Sequence, residues 1–65
     1  MKENIIKKIS ENRNVSAAEA EKNFRTYCED FASDMFYNDY VGILVLGIGL
    51  TVEEAEYIHN YLKSA

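Results

Sequence analysis

Sixty-five residues make one domain, and at that length folding buries only about 60% of the surface that the unfolded chain exposes. Cys28 is the only cysteine and His59 the only histidine, which excludes an intrachain disulfide and argues against a structural metal site. The net charge of −4 argues against a phosphate-binding role for the chain as a whole and leaves helix packing or a partner as the routes to stability.

The first element is a short helix over 3–12. Ile5, Ile6 and Ile9 share one face, with Lys7, Lys8 and Glu11 around the rest. Asn12-Arg13-Asn14 reads as the turn that ends it, because asparagine tolerates left-handed backbone. Val15-Ser16-Ala17-Ala18-Glu19-Ala20-Glu21 then opens a second helix through a capping box, in which a hydroxyl is followed three positions later by glutamate. An apolar residue ahead of the box, Val15, stands at staple spacing from Ala20. The helix is expected over 17–37, with Ala20, Phe24, Tyr27, Cys28, Phe31 and Met35 on its apolar face.

Asn38-Asp39 is the expected break, with either residue free to cap the next helix. The apolar run 40–50 is too short to cross a bilayer. Its β-branched residues also suit a buried strand, which in this chain could pair only with its own copy across a dimer. The preferred reading is a buried helix over 39–48 that ends with Gly47 or Gly49 in a left-handed position. Leu50-Thr51-Val52-Glu53-Glu54-Ala55-Glu56 repeats the capping box and starts a last helix over 52–63, with Ala55, Ile58 and Leu62 inward. The expected fold is therefore all-α, a compact bundle of four short helices that associates as a dimer.

Charge divides the chain. Residues 1–25 carry six basic against four acidic side chains, and residues 26–65 carry Lys63 alone against seven acids. Such a surface suits a protein partner with a basic face. Tyrosine offers large amphipathic contact area at small entropic cost, and there are five. Asp34, Tyr37, Asp39 and Tyr40 form an expected aromatic-acidic patch, joined as partner-binding candidates by Ile43 in the apolar run and by Tyr57 and Tyr61 on the last helix. A helix that is apolar all round must be covered on every side, so the run itself either is the central core helix or lends one side to a dimer or target.

No catalytic residues, metal ligands or cofactors are expected. No nucleophile stands at a recognisable spacing from His59, which reads as a surface group bonded to Glu56, and acids beside Cys28 disfavour a thiolate. The segment shows no signal peptide, so a cytoplasmic, non-membrane protein with a reduced thiol is expected. The functional expectation is a protein–protein interaction module, an adaptor or inhibitor acting on a target or as a homodimer. Its size and charge are those of many small domains in bacteria and their phages. The alternative is a helix-turn-helix-like DNA regulator, with 17–27 as recognition helix and Arg13, Lys22 and Arg25 on phosphates. Glu19 and Glu21 at that helix's start would repel the backbone, so nucleic acid is disfavoured.

Overall fold

Two helix starts and two left-handed stops set the course of the chain in the computed structural model, which describes residues 1–33 and 36–64, with only the backbone of Ser33 and Ser64. Helix α1 (Lys2–Arg13) ends at Asn14, whose φ of 56° is left-handed, and the amides of Asn14 and Val15 both donate to the Ser10 carbonyl. Helix α2 (Ala17–Ser33) opens with the Ser16 hydroxyl accepting from the Glu19 amide at 3.2 Å. Helix α3 (Tyr37–Gly42) passes without a break into a π-helical stretch, Ile43–Ile48. Helix α4 (Val52–Ser64) comes after a short link. All the described elements are helical, and among the described residues there is no strand and no helix long and apolar enough to cross a membrane.

The two capping boxes are not equal. In the second, Thr51 Oγ1 accepts from the Glu54 amide at 3.1 Å, and Glu54 Oε1 accepts from the Thr51 amide at 2.8 Å. Both orphan donors of that helix start are thereby satisfied, and Leu50 and Ala55 at staple spacing are both buried.

Three expectations need correction. Helix α2 is helical through Ser33 and does not reach 37, because Phe36 is already extended, with φ −61° and ψ 131°. Asn38 and Asp39 do not break the chain, because they sit inside the first turn of α3, where acids favour a helix start as readily as a cap. Leu62 is 43% exposed rather than inward, because it lines an open cleft with Phe24 and Cys28 near the end of α4. Met35 lies outside the described residues.

The core gathers Ile5 and Ile9 from α1, Ala20, Phe24, Cys28 and Phe31 from α2, Tyr40, Leu44 and Ile48 from the third helix, and Leu50, Ala55 and Ile58. Gly49 closes the π-helical stretch with a φ of 88°, and the Leu50 amide reaches back to the Leu44 carbonyl at 3.2 Å. Asn12 crosses from α1 to donate to the Ile48 carbonyl at 2.6 Å. A Cβ on Gly49 would stand 2.9 Å from Asn12 Nδ2. Gly49→Ala is therefore expected to cost about 1–2 kcal/mol from the left-handed backbone, with more from the disturbed Asn12 bond. Urea denaturation checks it, and an unchanged midpoint would contradict this account of the stop.

Candidate protein-interaction surface

The third helix, from α3 through its π-helical end, positions the surface because it is the only described element whose apolar residues outnumber its inward places. Tyr40, Leu44 and Ile48 recur every four residues and point into the core, at 4%, 0% and 7% exposure. The remaining aliphatic residues must point elsewhere. Val41 and Val45 are partly buried against the core margin, whereas Ile43 is 51% and Leu46 88% exposed. Gly42 and Gly47 are five residues apart, the hydrogen-bond span of a π turn, so they come round to the same outer side. A Cβ at either glycine would meet no atom within 4 Å, so the space above both is open.

The exposed charges on the third helix and the first turns of α4 are acidic. Asp39 is exposed one turn before Ile43, and Glu53 and Glu56 are exposed in the first turns of α4, beside the half-exposed Val52. Between Thr26 and Leu62 the sequence holds no lysine or arginine. Lys8 reaches α4 from α1, but it is tied to Glu54 Oε1 at 2.8 Å. Burial alone would raise the Glu54 carboxyl, yet the Lys8 ammonium and the Thr51 donors together hold it below the ordinary glutamate value.

The expected aromatic-acidic patch does not assemble. Asp34 lies outside the described residues. Tyr37 is on the surface, where its hydroxyl donates to Glu56 Oε1 at 3.2 Å and its ring stands edge-on to His59 at 5.0 Å. Tyr40, three residues on, turns inward and packs 4.7 Å from Phe31, so it is not available to a partner. Burial, then the nearby Asp30 carboxylate, push its phenol far above the ordinary tyrosine value. Tyr57 and Tyr61 take another flank of α4, against Phe24 at 6.5 and 5.1 Å, with the Lys2 ammonium 5.5 Å above the Tyr61 ring. The structure thus leaves Tyr37, Asp39 and Ile43 exposed, buries Tyr40, and sets Tyr57 and Tyr61 apart as a half-buried pair. Leu46 was not among the partner-binding candidates read from the sequence, because a run that is apolar all round gives no spacing that distinguishes its outer side.

Other groups offer less chemistry. His59 is sandwiched by Phe31 at 4.5 Å and Tyr37, and its Nε2 accepts from Lys63 at 3.2 Å, so the expected bond to Glu56 is replaced. Cys28 is buried, which pushes its thiol up to about 11 against the opposing Lys2 charge, with Glu29 adding to the rise. At neutral pH it is protonated and unreactive. It closes the floor of a cleft of about 330 Å³, whose mouth carries Lys2 and Arg25 against Glu21 and Glu29 and so selects no sign of charge. Among the described residues no three metal-ligating side chains converge. Of Arg13, Lys22 and Arg25, the residues offered for phosphate, Arg13 is engaged with the Tyr27 hydroxyl at 2.6 Å.

Compared with known proteins, the chain matches no protein-family model, no curated protein and no solved structure.

Proposed function

We propose that this protein is a protein–protein interaction module, an adaptor or inhibitor that works by laying the outer side of its third helix on a target. The observation that carries the reading is Leu46, at 88% the most exposed large apolar side chain in the middle of a helix whose opposite side is core. A small chain gains nothing for its own fold from an aliphatic residue held in water, and its free energy of burial is realised only on a partner. Ile43 beside it and the exposed acids Asp39 and Glu53 suit a target whose contact surface is apolar at the centre and basic at the rim.

A photo-crosslinking residue placed at position 46, with position 22 on α2 as the control, tests this in lysate of the source cells. The expected result is one stoichiometric adduct from position 46 that is absent from position 22 and lost when Ile43→Asp is added. Leu46→Asp should change folding stability by no more than about 0.5 kcal/mol, because the side chain makes little contact at home. Equal labelling from both positions, or none from position 46, would refute the reading.

A further inference from the structure

We infer that the occupant of this surface is a basic amphipathic α-helix, seated over Gly42 and Gly47 between Ile43 and Leu46. The inference rests on the interaction reading above and adds the shape and charge of the partner.

The shape follows from the glycines. Neither has a left-handed backbone, and neither sits against another part of the fold, so neither turn geometry nor internal packing calls for glycine there. Glycine inside a helix is unfavourable relative to alanine, so the fold bears a cost that it does not use. What the pair does provide is a shallow trough along the helix, with a bare-backbone floor and two aliphatic walls. Ridges of side chains on one helix pack into grooves on another, and a glycine floor allows the axes to approach closely. An extended peptide would need a sheet edge for its backbone bonds, and the described residues offer only helices.

The charge follows from the sequence that carries the surface. Asp39 is exposed one turn before Ile43, Glu53 and Glu56 are exposed on α4, and no lysine or arginine stands between Thr26 and Leu62. A second copy docked through the same surface would set acids against acids. A helix with an apolar stripe flanked by lysine or arginine satisfies both the trough and these acids.

The test uses the isotopically labelled full chain and a synthetic peptide of about five helical turns, with leucine at i, i+3, i+4 and i+7 and lysine on the flanks. Its control is a peptide of identical composition with the leucines scattered round the helix. Amide shift changes should centre on Gly42, Ile43, Leu46 and Gly47, and the scattered peptide should bind at least about tenfold more weakly. The double variant Gly42→Ala and Gly47→Ala should keep or raise its thermal midpoint while losing about tenfold in peptide affinity. Leu46→Asp should abolish binding whatever the partner's shape. If Leu46→Asp abolishes binding but the alanine pair does not weaken it, the close helical seat is wrong and the interaction surface stands. Equal binding of both peptides, shifts centred on the Lys2–Tyr61 cleft, or self-association through the same residues in sedimentation would each overturn the inference.

Discussion

Leu44→Ala is expected to leave the protein largely unfolded, whereas Leu46→Ala, two residues away on the same helix, is expected to change stability hardly at all. Leu44 is 0% exposed and sits in the row Tyr40, Leu44, Ile48 that joins the third helix to the rest of the core. Removing a buried leucine side chain costs about 2–5 kcal/mol, from lost transfer free energy and from the cavity left behind. A core in a domain of this size rarely supplies more than about 3–5 kcal/mol, so the loss consumes most of the stability. Leu46, at 88% exposure, has almost no contacts to lose. Urea titrations followed by far-ultraviolet circular dichroism distinguish the pair. Similar midpoints for the two variants would mean that the third helix does not present the faces described.

The second large effect falls on Glu54, the buried charged side chain of the described core. One oxygen accepts from both the Thr51 amide and the Lys8 ammonium, so the residue caps α4 and ties it to α1 at once. Glu54→Ala removes the oxygen to which both groups donate, leaving the Thr51 amide and the Lys8 ammonium without it, and is expected to cost about 1–2 kcal/mol. Most of that belongs to the cap. The Lys8 side chain is 39% exposed, so water screens the ion pair, and Lys8→Met should cost less than about 1 kcal/mol. The folded-state pKa of Glu54 lies below its unfolded value. Its contribution is therefore complete above an unfolded pKa of about 4.3 and is lost as the pH falls through the lower folded value. Wild type should lose stability over that acid range, and Glu54→Ala should lose correspondingly less. Parallel declines in urea midpoint would show that Glu54 is not the linked group.

Much of the local architecture was legible in the residues because its causes are local. A hydroxyl with glutamate three positions on satisfies the same orphan amides wherever it occurs, so Ser16 and Thr51 mark helix starts without reference to the rest of the fold. Asn14 and Gly49 stop helices for an equally local reason, their tolerance of positive φ. The apolar faces of α1 and α2 follow from spacing and are buried as expected at Ile5, Ile9, Phe24, Cys28 and Phe31.

The proposed interaction surface is not set locally, and the aromatic-acidic patch expected from the sequence does not assemble. Tyr37 and Tyr40 look equivalent in the chain, but the tertiary fold sends one to Glu56 on the surface and the other against Phe31 in the core. The run 40–48 carries no amphipathic pattern to say which side faces out. That choice depends on the wider π pitch and on which side α1, α2 and α4 already cover. Sequence alone determined that the chain is helical, where three of its helices begin, and that a greasy segment exceeds what so small a body can hide. Only the packing of the other helices decided that Leu44 is enclosed while Leu46 is left in water, because burial is a property of neighbours and not of the residue that is buried.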